Sequence, residues 1–335
     1  MKKFINSPSN FVEETMEGIL LAWPNQLKAV DKEKRILVAN RPIQKKKVGI
    51  VTAGGSGHLP VFLGYVGEGL LDGCTVGNVF ASPSSEKMAE MIRECDFGDG
   101  VLCLYGNYGG DRMNFEMACE IAEFDGTTTR QVRVTDDIAS ASADEASKRR
   151  GVAGMVYAFK TAGAAAEEGM NLDAVTEIAE RTVKNLRTLG FATGPCIVPD
   201  VGKPTFTIKD DEMEVGMGIH GEPGIDTCKM ASAEEVAQRA FQEIVKELPL
   251  NKGDEVSVMV NGLGATPIEE LLIVYRSLHK MLADNGVSVF MPHIGEFATS
   301  MEMAGLSITF LKLDEQLKSL LSKPASSPFY TSLNK

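Results

Sequence analysis

The chain of 335 residues has no C-x-x-C pair among its six cysteines and only four histidines. Cys74, Cys95, Cys103, Cys119, Cys196 and Cys228 mostly sit inside apolar runs, so they are expected as buried free thiols rather than a disulfide framework or a zinc site. No two histidines have the spacing of a metal-binding helix. No G-x-x-x-x-G-K-[ST] loop is present, and the G-x-G-x-x-G pattern fails after the first strand, so no nucleotide site is expected on this chain. Basic residues are in deficit: 34 Lys and Arg against 46 Asp and Glu give a net charge of −12, which argues against a nucleic-acid partner. No apolar run approaches the ~18 residues of a membrane span. The opening MKKFINSPSNF is basic but lacks the apolar stretch of a signal peptide. These absences lead us to expect a soluble, cytoplasmic protein with no membrane partner.

What is present is an α/β grammar. KKVGIVTA (residues 46–53), GVLCLYG (100–106) and RQVRVTDD (130–137) read as buried strands, separated by the helical patterns SSEKMAEMIREC and NFEMACEIAEFDG. Strand, short loop and helix in alternation predict a parallel sheet. Residues 144–190 read as helical, with Leu172, Val175, Ala179, Val183, Leu186 and Leu189 on one face and Gly190 as the C-cap. After the Pro- and Gly-rich stretch FATGPCIVPDVGKPTF the pattern resumes, with DEVSVMVNG as strand, 268–286 as helix and VSVFM as strand. The expected fold is two α/β domains, 1–190 and 191–335, with mostly parallel or mixed sheets flanked by helices. No repeat of fixed period stands out. The tail after Lys323 is expected to lie on the surface or wrap a neighbour.

Two histidines sit on nearly bare backbone, His58 in AGGSGHLP and His220 in GMGIHGEPG. Ligands of open α/β sheets bind beyond the carboxyl ends of the strands, where unobstructed backbone amides approach them closely. Asp111, in NYGGDRMNF, stands at the start of a helix, where a capping role competes with a functional one. His220 is open to metal ligation, general base catalysis or nucleophilic attack. His279 falls within the late helix as a surface or half-buried residue, and His293 is a weaker candidate for a site.

The segments GGSGHLP, GNVFASPS, NYGGDRMNFEMA, RRGVAG, GKPTF, GMGIHGEPG and NGLGATP, in that order from about Ser7 to Tyr330, resemble the dihydroxyacetone kinase K subunit family. The resemblance implies that His220 adds to the ketone carbon of dihydroxyacetone or a similar small ketose and holds it as a hemiaminal. It implies that Asp111 takes the proton of the reacting hydroxyl and His58 orients it, while Gly55, Ser56 and Gly57 form a close backbone wall and Gly106 lines the substrate. It also implies a homodimer and a separate L-type subunit carrying ADP or ATP with Mg²⁺, with no cofactor or metal on this chain. The chain departs from the family pattern at Leu59, where Glu is usual, at Gly106, where Lys is usual, and at Ala53, the first position of a usual glycine triple. The first two changes imply a wider, less charged pocket and bring in a four-carbon ketose such as erythrulose. A ketose-sensing coactivator of a transcription factor is the alternative from another class, and retention of Asp111 favours the kinase subunit.

Overall fold

The computed structural model describes residues 2–333; positions 1, 334 and 335 of the expected domains lie outside the described residues. The first half is built from helices α1 (Phe11–Ala22), α2 (Ser85–Glu94) and α3 (Gly109–Phe124) and strands β1 (Leu27–Ala29), β2 (Ile36–Ala39), β3 (Gly49–Gly55), β4 (Gly73–Gly77), β5 (Val101–Gly106) and β6 (Thr129–Val134). The strands form one sheet in the order β1-β2-β4-β3-β5-β6. From β4 to β6 all pairings are parallel, and β1 and β2 add an antiparallel margin. The three strands expected from sequence are β3, β5 and β6, side by side; β3 and β5 are wholly buried, whereas β6, expected as buried, is the edge strand and leaves Arg130, Gln131 and Arg133 exposed. Their alternation is two-sided: Val101, Cys103 and Tyr105 of β5 pack with α2 and α3, whereas Leu102 and Leu104 enter the core on the other face.

Helices α4 (Met155–Glu167) and α5 (Leu172–Lys184) then lead to a second sheet. It contains β7 (Leu186–Gly194), β8 (Glu212–Val215), β9 (Asp226–Lys229), β10 (Glu255–Gly262), β11 (Ser288–Val289), β12 (His293–Gly295) and β13 (Ala304–Lys312). The order is β11-β10-β13-β7-β8-β9, with β12 also paired to β10. This sheet is mixed, with the β10–β13–β7–β8–β9 run antiparallel and β11 and β12 parallel to β10. Helices α6 (Ala233–Glu247) and α7 (Ile268–Asp284) cover one face, and α8 (Glu315–Ser322) packs on α4.

Gly190 does not cap a helix. α5 ends at Asn185, whose side chain donates to the Arg181 carbonyl at 2.9 Å, and Gly190 lies inside β7 opposite Ser307. The reason for the miscount is that β7 is buried on both faces through most of its length, so Leu186 and Leu189 extend the helical spacing of α5 by coincidence. The border expected at 190/191 therefore runs through a strand, and we propose that the two units meet before Leu186. They share a core: Ile50, Leu102, Leu104 and Val134 of the first sheet and most of α4 belong to the same apolar cluster as Leu186, Met259 and Leu311 of the second. The tail folds as a hairpin, β14 (Ala325–Ser327) with β15 (Tyr330–Ser332), and docks on its own chain where Ser327 Oγ donates to the Gly64 carbonyl at 2.7 Å.

α4 is buried on every side, as a helix between two sheets must be. At Gly163 it crosses the backbone of Leu70 so closely that a Cβ would lie 2.4 Å from the Leu70 carbonyl oxygen and 2.6 Å from its N and Cα. Alanine ordinarily improves a helix interior by about 1 kcal/mol over glycine. Here overpacking against backbone, worth about 1–3 kcal/mol, outweighs that gain. Gly163→Ala is expected to lower stability by roughly 1–2 kcal/mol in urea unfolding, and an unchanged or raised midpoint would contradict this packing.

Candidate active site

The carboxyl ends of β3, β4 and β5 present three segments side by side. After β3, Ser56, Gly57 and His58 form one turn of 3-10 helix. A Cβ at Gly55 would lie 2.4 Å from the Val79 carbonyl oxygen, and one at Gly57 would lie 2.6 Å from Val79 Cγ1 and 2.9 Å from Phe80 Cε1. These glycines are therefore required by the segment that follows β4, which presses on them. The His58 turn is held from the other side by the second half of the chain. The Met301 amide donates to the Gly57 carbonyl at 2.9 Å, and Thr299 Oγ1 to the Leu59 carbonyl at 2.7 Å.

His58 is fully buried, with its ring stacked on Phe80 at 4.8 Å between centroids. Nδ1 lies 2.8 Å from the Thr299 carbonyl oxygen, which can only accept, so the proton is on Nδ1 and Nε2 carries a lone pair. Nε2 has no hydrogen-bond partner among the described residues. Burial, and then the charge of His220, depress the His58 pKa to about 3, so the ring stays neutral.

Asp111 is the third residue of α3; the N-cap is Tyr108, whose side chain makes no cap hydrogen bond. Asp111 is thus no N-cap. Its carboxyl is buried and Oδ1 has no hydrogen-bond partner among the described residues. Burial raises its pKa to about 6, against the opposing pull of the Ser82 hydrogen bond and the His220 charge. A carboxylate poised near neutrality is suited to accept a proton.

His220, in the loop between β8 and β9, is half-buried and faces these groups. Its ring meets His58 edge-on at 4.6 Å and Tyr108 at 4.7 Å between centroids, with Phe80 at 5.4 Å. Nδ1 lies 2.9 Å from Glu222 Oε1, and the His220 amide donates to Glu222 Oε2 at 3.0 Å. Burial would raise the Glu222 carboxyl, but the hydrogen bond and charge of His220 and the charge of Arg150 prevail and hold it at about 2. An ionised Glu222 accepts, so Nδ1–H donates and the Nε2 lone pair of His220 is left for chemistry. Arg150 backs this pair: its Nη1 is 3.7 Å from Glu222 Oε2, and its Nη2 is 2.8 Å from Asp137.

Glu222, Tyr108 and Phe80 were not picked out from sequence as site residues. For Glu222 a signal existed, a carboxylate two residues from a loop histidine; aromatic packing of Tyr108 and Phe80 has no such local signal. The Tyr108 hydroxyl and Ser56 Oγ are also buried without a hydrogen-bond partner among the described residues. Gly106 borders the same region, but a Cβ there would lie 3.1 Å from Met155 Sδ and from the Tyr108 ring. The space a side chain would take is filled by Tyr108, so no widening arises at this position. Leu59 packs partly buried against the large core.

His293 lies elsewhere, buried between the hydroxyls of Tyr157 at 3.3 Å and Tyr330 at 3.0 Å, a structural role. His279 is exposed on α7. The cysteines are free thiols, buried except for half-buried Cys228. Among the described residues no group of three or more His, Cys, Asp or Glu could hold a metal ion, and no helix is long and apolar enough to cross a membrane.

Comparison with known proteins gives a consistent picture. Residues 17–329 match the Dak1 domain. The chain is 41% identical, over 98% of its length and 99% of the relative's, to the "PTS-dependent dihydroxyacetone kinase 2, dihydroxyacetone-binding subunit DhaK" of Listeria innocua serovar 6a. It is also 41% identical over 98% of its length to an L-erythrulose kinase of Pectobacterium atrosepticum, of which it spans 56%. Among solved structures, the "Dihydroxyacetone kinase operon co-activator Dha-DhaQ" superposes with a TM-score of 0.88 at 32% identity, covering 96% of this chain and 98% of that one.

The Asp111 environment sets a stability trade-off. With a native pKa near 6 against the usual 3.8, the folded state resists ionisation more than the unfolded one. No penalty exists below about pH 4, it grows from there to the native pKa, and it is complete above that. Asp111→Asn is expected to raise unfolding free energy at pH 8 by on the order of 2 kcal/mol and to match the parent at pH 4. Equal stability at both pH values in denaturant titrations would show that the carboxylate is not desolvated.

Proposed function

The chain belongs to the Dak1 domain family, and on that footing we propose that it is the ketose-binding subunit of a small-ketose kinase. The observation that carries the proposal is the set of buried polar atoms on the segments that meet at His220. Ser56 Oγ, His58 Nε2, the Tyr108 hydroxyl and Asp111 Oδ1 all lack hydrogen-bond partners among the described residues. Buried polar groups are rarely left so, and a short polyhydroxylated ligand supplies what they lack. His220 adds the selectivity. Its Nε2 attacks the ketone carbon, an N–C bond forms, and the carbonyl π pair moves onto oxygen, which takes a proton from solvent. The Nδ1 proton, held against ionised Glu222 while the ring is positive, is released to solvent, so one proton is gained, one is lost and the hemiaminal is neutral. Glycerol, with no carbonyl, cannot be held this way.

With the ketose fixed, the neutral His58 accepts a hydrogen bond from a substrate hydroxyl and Asp111 takes the proton of the hydroxyl that is phosphorylated. The phosphoryl donor is carried by a separate L-type subunit holding ADP or ATP with Mg²⁺, docked over the mouth formed by His58, Asp111 and His220. The Listeria relative, a dihydroxyacetone-binding subunit of a PTS-dependent kinase, supports the reading of this chain as one subunit of such an enzyme. A four-carbon ketose is the second choice of substrate, supported by the equal identity to the Pectobacterium erythrulose kinase.

One mixture tests the whole proposal. Intact-mass measurement with dihydroxyacetone or erythrulose should show one ketose added per chain, none with glycerol and none on His220→Ala. Glu222→Gln, which permits the wrong tautomer of His220, should reduce adduct formation by about tenfold or more. Asp111→Asn should keep the adduct and lose about 10²–10⁴ in phosphorylation by the chain, an L-type subunit and Mg²⁺–ATP or a phosphorylated carrier. An adduct on His220→Ala sinks the covalent assignment. An adduct without product from any donor would favour the sensing role of the co-activator type.

We also propose that the chain pairs as a homodimer. Ile268, Leu272 and Ile273 on the outer side of α7, together with Met230 after β9, are large apolar residues at 45–54% exposure. Such a group suits an isologous interface. Light scattering on a column should report twice the 36.1 kDa chain mass, and Ile273→Lys should halve it; a monomer at micromolar concentration would refute the pairing.

A further inference from the structure

Beneath the site, the thiols of Cys103 on β5 and Cys119 on α3 lie 3.7 Å apart, sulfur to sulfur. Both are free, and their residues are 0% and 3% exposed. They join the two elements that flank the site loop: β5 ends at Gly106, three residues after Cys103, and α3 carries Asp111 in its first turn. Cys119 follows Asp111 by eight residues, roughly 12 Å along the helix at 1.5 Å per residue. An apolar pair would fill this position without chemistry, so two opposed sulfurs call for an account.

We propose that Cys103 and Cys119 are a redox-responsive dithiol whose oxidation to an intrachain disulfide pulls α3 toward β5 and displaces Asp111. A disulfide needs its sulfurs at about 2.05 Å, so they must close by roughly 1.7 Å from where they stand. The interface permits this approach. Where α3 faces the sheet next to Cys119 it carries Ala118 and Ala122, and the larger Tyr105–Phe115 stack, at 4.3 Å, lies on the side nearer Asp111. Shortening the contact at Cys119 against that stack tilts the helix about its aromatic support. Burial raises Cys103, whereas the hydrogen bond from Cys103 lowers Cys119, so the helix thiol is the more readily deprotonated of the two.

The chemistry balances with a peroxide or a small disulfide as oxidant. Two S–H bonds break and one S–S bond forms; the two electrons and two protons reduce hydrogen peroxide to two waters, or a low-molecular-weight disulfide to two thiols. The effect on Asp111 rests on the proposed kinase function, whereas the disulfide does not.

The test starts with the full chain, treated with hydrogen peroxide or oxidised glutathione. Alkylation in denaturant should find two of the six thiols lost, and peptide mapping should place the bond between Cys103 and Cys119, reversed by dithiothreitol. Six thiols retained, a stable glutathione adduct, or a bond involving Cys95 overturns the pair; none of these readouts needs a variant to fold. In the kinase mixture, oxidation should leave the ketose adduct in place and lower phosphorylation by tenfold or more, while Cys119→Ser resists the oxidant. A mapped Cys103–Cys119 bond with unchanged phosphorylation overturns the link to Asp111. If the reduced chain phosphorylates nothing with any donor, the kinase function fails, and the mapping still decides the dithiol.

Discussion

The hydrogen bond from the His58 ring to the Thr299 carbonyl does two things that the rest of the site depends on. It ties the first sheet to the second half of the chain, beside the Met301–Gly57 backbone bond. It also decides which ring nitrogen keeps a lone pair. His220 repeats the arrangement with Glu222 in place of a carbonyl. Each histidine has one nitrogen committed to the protein and the other available, and the two rings meet edge to face. The difference between their anchors matters. A neutral carbonyl accepts from the His58 ring without charge, whereas the Glu222 carboxylate, held at about pKa 2, sets a full negative charge against the His220 ring.

Keeping these groups ready has a price in stability. Burying a carboxyl that lacks full compensation, as at Asp111, disfavours the folded state at neutral pH, and His58 does the same in acid because it must stay neutral. The unpartnered atoms of Ser56 and Tyr108 add to this. The large core shared by both halves, with α4 buried between the sheets, supplies the compensation. Local rules are broken at these few buried polar groups and satisfied in the core around them.

The parallel strands β3 and β5 were legible in the sequence because strands covered on both faces are continuous apolar runs ended by glycine, whereas β6, at the sheet edge, was legible through buried Val132 and Val134 alternating with exposed Arg133. Burial on both faces also hid β7, whose first residues continue the helical spacing of α5, and it misled the placing of the border at Gly190. β1 and β2 are short and antiparallel, with little periodicity to find. His58 and His220 could be found because histidine is conspicuous on a bare loop. Asp111 could be found as a residue, but whether it capped a helix depended on where the helix begins, and Tyr108, three positions earlier, is the N-cap. The hairpin of the tail was not legible, because its docking partners, Gly64 and His293, are distant in sequence.

The bareness of the GMGIHGEPG loop has a cause that differs from closeness to a ligand. A Cβ at Gly218 would lie 2.1 Å from Glu222 Oε2 and 2.4 Å from Arg150 Nη1. Gly221 has φ of +83°, where a side chain is strained. The backbone thus turns on itself to bring Glu222 back under His220, and the Gly218 amide donates to the Glu222 carbonyl at 3.0 Å to close the turn. The same holds for Gly55 and Gly57, whose missing side chains admit Val79 and Phe80. In both loops glycine serves the anchor of a histidine. The ring can then be held by one nitrogen while the other is left uncommitted, an arrangement that a loop with ordinary side chains would have no room to fold.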